Sequence, residues 1–370
     1  MRSVNMKISH VEVIPFRIPY HTPLKWGLAG YLDAAEHVLV RIRTDEGIVG
    51  CAEATPRPTI YGESQRSIAF AIEHWFKPMI MGKDPFATER IWDELETIYW
   101  NPTAKGAIDL ALHDIQAKAA GVPAYRLLGG WSNQVPLSWM VGINPIELMV
   151  EEALKRKDEG FKAFKIKVGV DPDKDVQVVK ALREKLGTDI LIYVDGNQAY
   201  STQQAIRTLQ AMEEYGIGMV EEPLPVWNWR GRLEVADRLS IPIMGDESVF
   251  TPHDVAREIE LGVIGVISIK TPRTGYYLSR KIIQMAELAG IGCLVGTQAE
   301  SSLGTLPSAH FAAAFRNIRY PSEISYFLNI EDSLLQEPIH LRDGAIELPQ
   351  EPGFGVKVDE DKLKRYRVDI

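Results

Sequence analysis

Three acidic residues each close an apolar run, at nearly even intervals along the chain. Asp195 follows Leu191-Ile192-Tyr193-Val194, Glu221 follows Ile217-Gly218-Met219-Val220, and Asp246 follows Ile241-Pro242-Ile243-Met244-Gly245. Lysines flank this set, with Lys165 and Lys167 in Phe164-Lys165-Ile166-Lys167 upstream and Lys270 ending Val266-Ile267-Ser268-Ile269-Lys270 downstream. Asp195, Glu221, Asp246 and Lys270 are separated by 26, 25 and 24 residues, about one strand, one helix and two short loops each. A closed parallel barrel with this period brings all these side chains to one mouth, at the C-terminal ends of its strands. Three carboxylates there suit a hard divalent cation and leave coordination positions for a substrate carboxylate. Asp246 is followed by Glu247; strand alternation lets only one face inward, and Asp246 is the expected ligand. Lys165 and Lys167 are two apart and share a strand face. Burial and neighbouring ammonium groups are expected to lower their pKa toward neutrality. Lysines on opposite sides of a cation-bound carboxylate suit proton transfer at the carbon alpha to it.

The elements that must position these groups are legible as a change of period. Residues 7–13 and 37–44 alternate, Asp45-Glu46-Gly47 makes a turn, and residues 48–53 return, which predicts a small antiparallel sheet. Two irregular stretches are expected, at 21–30 and 55–62. Helices are expected over 67–79, 87–100 and 103–120, the last stopped by Gly121 and Pro123. From residue 135 the pattern becomes strand, helix, strand, with a seventh strand at 291–296 and a weak eighth at 319–325. The alternation implies a parallel sheet with crossover helices. Eight units, and no Gly-rich phosphate loop, favour closure over an open doubly wound sheet. The expected class is therefore α/β: an α+β capping unit over residues 1–125, a modified TIM (β/α) barrel over 126–325, and a tail over 326–370 that returns to the N-terminal sheet.

Composition narrows the rest. The 370 residues carry a net charge of −9 and no clustered Lys/Arg tract, so a nucleic-acid partner is not expected. The apolar runs fall short of a membrane span. Two cysteines without metal-type spacing and a start without a continuous apolar region fit a cytoplasmic protein. Trp26 and Tyr61, on the irregular stretches, are candidate substrate contacts. Arg57, between two prolines, is a candidate partner for the distal carboxylate of a dicarboxylate. Gln298 and Glu300 end the seventh strand and are expected to line the mouth. Glu323, at the end of the last strand, is expected to orient a lysine or to accept from substrate. His10, His37, His74 and His113 form no ligand pattern and read as structural. An aldolase-type barrel, with Lys270 forming a Schiff base, is a rival that the carboxylate triplet disfavours; a scaffold that kept the fold without catalysis is another.

Five motifs in order carry a resemblance: Lys165-Ile166-Lys167, Asp195-Gly196-Asn197, Glu221-Glu222-Pro223, Gly245-Asp246-Glu247-Ser248 and Ile269-Lys270-Thr271. With them the chain resembles the enolase superfamily, and within it the muconate-lactonizing subgroup. The resemblance implies Mg²⁺ or Mn²⁺ on Asp195, Glu221 and Asp246. It implies acid/base work by Lys167 and Lys270, Lys165 near the substrate carboxylate, and Asn197 among the substrate contacts. It also implies specificity loops around Trp26 and Tyr61, and homo-oligomers, often octamers. The implied reaction is lactonization of cis,cis-muconate, a small-molecule carboxylate, through an enolate protonated by Lys167, with Lys270 mainly electrostatic. The alternative within the superfamily is a racemase, an epimerase or an o-succinylbenzoate-type dehydratase. Dipeptide epimerases of the superfamily carry Asp-x-Asp on the last strand, where this chain has Glu323-Ile324-Ser325. Acid-sugar dehydratases use a histidine on the seventh strand, which here ends Gly296-Thr297-Gln298. Many relatives have a second glycine where this chain has Tyr276, after Thr274-Gly275.

Overall fold

A computed structural model describes residues 6–26 and 30–370, apart from the side chains of residues 25, 26 and 30. The N-terminal unit opens with an antiparallel sheet of β1 (Ile8–Trp26), β2 (Gly30–Thr44) and β3 (Val49–Ala54). Residues 21–26, expected to be irregular, continue β1. Leu24, Lys25 and Trp26 pair with Leu32, Tyr31 and Gly30, after a register shift past Pro19. The stretch is thus the far arm of a long hairpin. Helices come next: α1 (Pro58–Tyr61), α2 (Gln65–Ala71), a π-helical turn (Ile72–Phe76), α3 (Lys77–Ile80), α4 (Thr88–Leu95), α5 (Pro102–Ala120) and α6 (Ala124–Leu128). The buried Glu63 carboxylate caps α5, accepting from the Thr103 and Ala104 amides at 2.9 and 3.3 Å. Those amides have no partner inside the helix, so this cap ties the 57–63 turn to α5.

After β4 (Gln134–Pro136) comes the barrel sheet: β5 (Ser138–Val141), β6 (Ala163–Lys167), β7 (Leu191–Asp195), β8 (Val220–Glu221), β9 (Ile243–Gly245), β10 (Ile264–Ile269) and β11 (Gly292–Val295). These seven strands lie side by side in chain order, each pair parallel. The crossovers are α7 (Ile146–Asp158), α8 (Pro172–Leu186), α9 (Thr202–Glu213), α10 (Trp229–Arg238), α11 (Pro252–Leu261), α12 (Thr271–Leu288) and α13 (Ser302–Ala314). The expected eighth strand is present only as isolated bridges. Cys293 bridges Ile318, Leu137 bridges Ser322, and the Glu323 amide donates to the Val295 carbonyl at 2.8 Å. Residues 318–323 thus close the gap between β11 and β5. The fold is a modified (β/α) barrel with a capping domain.

Alternation explains how the strands aim their acids. Tyr193, Met219, Met244, Val266 and Leu294 form a separate buried cluster. Tyr193, Met219 and Met244 each stand two residues before an acid of the triplet, so the acids sit one layer above this apolar floor. The tail's β12 (His340–Arg342) and β13 (Ala345–Glu347) form a small sheet with β4, while Ile330 and Arg367 bridge Tyr20 and Phe16 of β1. The chain ends after α14 (Glu360–Tyr366). Cap and barrel meet where α5 lies on the start of α12. A Cβ on Gly106 would stand 2.2 Å from the Pro272 carbonyl oxygen, and one on Gly275 2.4 Å from Asp109 Oδ2. Gly275 also has φ 55°, which few other residues adopt. Tyr276 accommodates to this contact: its amide donates to Asp109 Oδ2 at 2.6 Å and its hydroxyl to the Pro307 carbonyl at 2.6 Å.

Candidate active site

The barrel mouth gathers the acids and lysines into one buried network. Lys165 Nζ lies 3.0 Å from Asp195 Oδ2, 2.5 Å from Glu221 Oε2 and 2.9 Å from Glu323 Oε2. Lys167 Nζ donates to Asp195 Oδ2 at 2.6 Å and to Asn197 Oδ1 at 2.9 Å. Across the mouth Lys270 donates to Asp246 Oδ2, and Arg273 Nη1 to Asp246 Oδ1 at 2.8 Å. Lys165, Lys167, Lys270, Asp246, Asn197 and Arg57 line one small cavity, closed by Leu24, Ile60, Met140, Thr297, Gln298 and Ala299.

Lys165 does not titrate as the sequence led us to expect. Burial pushes Lys165 and Lys270 down, but adjacent carboxylates outweigh it and hold both above the ordinary lysine value. Asp195 resists burial through Lys165 and Lys167 and sits at about 2; Asp246 is held below the usual range by Lys270 and Arg273. Glu221 goes the other way. Burial, then Asp195 and Glu323, push it well above the usual carboxylate range.

That imbalance tests whether a cation fits. Both Glu221 oxygens are buried, and neither has a hydrogen-bond partner among the described residues, although Lys165 Nζ approaches one of them closely. A crowded, unsatisfied carboxylate beside two others is a donor set for a hard divalent ion. Lys165 Nζ stands between Asp195 and Glu221 and Lys270 pairs with Asp246, and among the described residues no three ligating side chains converge as a ready-made cation cluster.

The other expected site residues do not share one place. Arg57 is buried and lines the cavity. Its Nη1 donates to the Pro56 carbonyl at 2.5 Å, and its Nη2 has no partner among the described residues. Glu323 supports Lys165 and accepts from Tyr193 Oη at 2.8 Å. Gln298 lines the cavity and donates to Tyr61 Oη at 2.7 Å, so Tyr61 stands behind the wall. Glu300 turns onto its own loop, accepting from Thr297 Oγ1 and the Gln298 amide at 2.5 and 3.0 Å, and is not a cavity wall. Trp26 ends β1, and its side chain lies outside the described residues.

Several residues join this site that the sequence reading placed elsewhere or gave no role. Glu247 is not turned away: β9 stops at Gly245, so alternation no longer governs residues 246 and 247. The Glu247 carboxyl lies 3.5 Å from Asn197 Nδ2 and is pushed up to about 8 by burial, Asp246, Glu222 and Asp195. Glu222, at φ 33°, accepts from the Asp246 and Ser248 amides at 2.8 Å each and so shapes the turn that presents Asp246. Arg273 and Phe250 complete the wall behind Tyr61. A buried arginine three residues past Lys270 looks, in sequence, like an ordinary first helical turn.

Two family models account for most of the chain. Residues 8–129 match the mandelate racemase / muconate lactonizing enzyme N-terminal domain, and residues 148–362 the enolase C-terminal domain-like family. The chain belongs to the enolase superfamily, in its muconate-lactonizing subgroup. Among solved structures it is similar to the muconate lactonizing enzyme of Mycobacterium smegmatis, complexed with muconolactone. That match has a TM-score of 0.95 and 39% identity, covering 98% of this chain and 100% of the other. It is also similar to the dipeptide epimerase of Enterococcus faecalis, solved with Mg and the dipeptide L-Leu-L-Tyr (TM-score 0.91, 34% identity, 95% and 99% covered). A third relative is the N-succinyl-L-Arg/Lys racemase of Bacillus cereus, 32% identical over 98% of each chain. The relatives therefore include cycloisomerases, epimerases and a racemase. Among the described residues no helix is long and apolar enough to cross a membrane.

Proposed function

We propose that this protein is a muconate cycloisomerase that converts cis,cis-muconate to muconolactone. The observation that carries this reading is the charge of the cavity wall. Lys165, Lys167, Lys270 and the under-partnered Arg57 face one small space. Each lysine is paired with a buried acid, and Asp246 lines the same wall, so Arg57 is the cation left to meet a second substrate carboxylate. Glu323, where an epimerase would need a free acid for an ammonium group, is committed to Lys165 and Tyr193.

In this reading Asp195, Glu221 and Asp246 would hold Mg²⁺ or Mn²⁺. When bound, the ion stabilises negative charge that develops on the proximal substrate carboxylate. Lys165 shares in holding that carboxylate, and Arg57 holds the distal one. An oxygen of the distal carboxylate forms a C–O bond to the diene, and the displaced electron pair moves to the carbon alpha to the proximal carboxylate. Lys167 gives that carbon its proton. Asn197 fixes the Lys167 amine, and Lys270, on the other side, supplies positive charge. The test tracks loss of muconate absorbance with added Mg²⁺ or Mn²⁺, then with excess EDTA. Consumption that needs the ion supports the proposal, and no consumption between about pH 6 and 9 overturns it.

One observation favours a second reading, an epimerase or racemase acting alpha to a carboxylate. A cavity of about 750 Å³ lies beside the small one and shares Leu24 and Met140 as walls. It offers room for a substrate longer than muconate. Exchange of the alpha hydrogen of dipeptides or N-acylamino acids, without muconate turnover, would move the assignment there.

A further inference from the structure

Tyr61 belongs to the cap and Asp246 to the barrel, and one buried guanidinium joins them. Arg273 Nη1 lies 3.3 Å from Tyr61 Oη and 2.8 Å from Asp246 Oδ1. Its Nη2 reaches the carbonyls of Asp246, Ser268 and Val249 at 3.1, 3.4 and 3.5 Å. The Phe250 ring packs on the guanidinium, 4.6 Å from its carbon, and the Tyr61 ring meets Phe250 edge-on at 5.2 Å. Tyr61 is itself fixed. Gln298 Nε2 donates to its hydroxyl, and Trp100 Nε1 donates to its carbonyl at 2.8 Å. Tyr61, Arg273 and Asp246 are all buried, so none of them is free to find another partner in water.

This arrangement divides the two oxygens of Asp246. Oδ2 is held by Lys270, an amine on a flexible stem. Oδ1 is held by a planar fork that also grips the backbone of the same residue. A cation entering the triplet can displace the amine from Oδ2, whereas the fork stays. We propose that Arg273 is a positioning residue that presents Asp246 to the cation through Oδ2, and that Tyr61 acts on the cation site through Arg273. The proposal rests on the reading of Asp246 as a cation ligand. It gives Tyr61 a part other than touching substrate: closing the 57–62 turn on the barrel and ordering the cation site become one event.

The test is Mn²⁺ binding to the purified full chain, measured calorimetrically without substrate. Arg273→Lys keeps the charge and loses the fork, so any change reports orientation. Its Mn²⁺ Kd is expected to rise about 10- to 100-fold, the usual cost of losing a partner that orients a metal ligand. Tyr61→Phe keeps the ring against Phe250 and is expected to raise Kd several-fold. The double variant should bind no more weakly than Arg273→Lys alone, because both act along one chain of contacts. A Tyr61→Phe protein that binds Mn²⁺ like the wild type while its KM for muconate rises would overturn the inference, since Tyr61 would then serve substrate only. Double-variant losses that multiply would also overturn it. If Arg273→Lys fails to fold, Tyr61→Phe carries the test alone. Wild-type protein that binds no Mn²⁺ would instead remove the cation-site reading itself, a separate failure.

Discussion

Arg57→Met removes the cation assigned to the distal carboxylate, and the structure sets the size of the effect. The guanidinium is buried at 5% exposure, with one nitrogen on the neighbouring Pro56 carbonyl and another without a partner among the described residues. Nearby Tyr20 is pushed up to about 12 by burial, against the pull of the Arg57 charge. An unsatisfied buried charge does not stabilise the free protein. Methionine fills a similar volume, so the melting temperature of the variant should be unchanged or higher. Binding should suffer. A hydrogen bond to a charged group contributes about 1.5–3 kcal/mol, which is about 10- to 150-fold in affinity at 1.36 kcal/mol per tenfold. Because the distal carboxylate loses its charge as its oxygen forms the C–O bond, Arg57 holds it most strongly before reaction, so the loss should fall on KM, with kcat unchanged or higher. Initial rates against muconate at saturating metal, with a parallel thermal melt, measure both. A KM within twofold of wild type would show that Arg57 does not hold the distal carboxylate, and so would a large loss in kcat at constant KM.

The remaining expectations concern the proton, the fold and the acids. Lys167→Ala should lower kcat about 10²- to 10⁴-fold, the usual share of a positioned acid, with circular dichroism unchanged. Asp246→Asn should abolish calorimetric Mn²⁺ binding and, with it, turnover. His310 is buried and pushed down to about 4, so the fold holds it neutral. Above pH 6.5 this has no effect on stability; as pH falls from 6.5 toward 4, the unfolded chain takes up a proton that the folded chain refuses. Stability should therefore drop by about 2–3 kcal/mol between pH 7.5 and 4.5 from this group. Denaturant titrations at the two pH values should show a smaller drop in His310→Gln. Gly106→Ala drives a methyl into the Pro272 carbonyl. It should cost about 1–3 kcal/mol by overpacking and displace the start of α12, lowering kcat/KM as well as Tm.

Much of the architecture was legible because it arises from periods. The even spacing of Asp195, Glu221 and Asp246 reflects one strand and one crossover helix per unit, and alternation puts each acid above an inward apolar residue. Lys165 and Lys167 both reach Asp195 for the same reason. The features that escaped depended on contacts between distant segments. Residues 318–323 close the barrel through backbone bonds too irregular to leave a periodic pattern. The arm at 21–26 is a strand only because 30–32 pairs with it. Glu247 reaches the site because β9 ends one residue before Asp246. Arg273 carries no local mark of burial, and Glu300 was drawn to its own turn by the Gln298 amide and Thr297. The Lys165 charge was misjudged because the neighbouring ammonium group was weighed and the neighbouring carboxylates were not.

The central claim is that Lys167 gives a proton to the carbon alpha to a substrate carboxylate held at the three acids. Turnover of muconate in D₂O, monitored by NMR of the product, measures this directly. One solvent deuterium is expected, at that carbon, formed at a rate that collapses in Lys167→Ala and on chelation. Product without carbon-bound deuterium, or a Lys167→Ala protein that labels it at the wild-type rate, would contradict it.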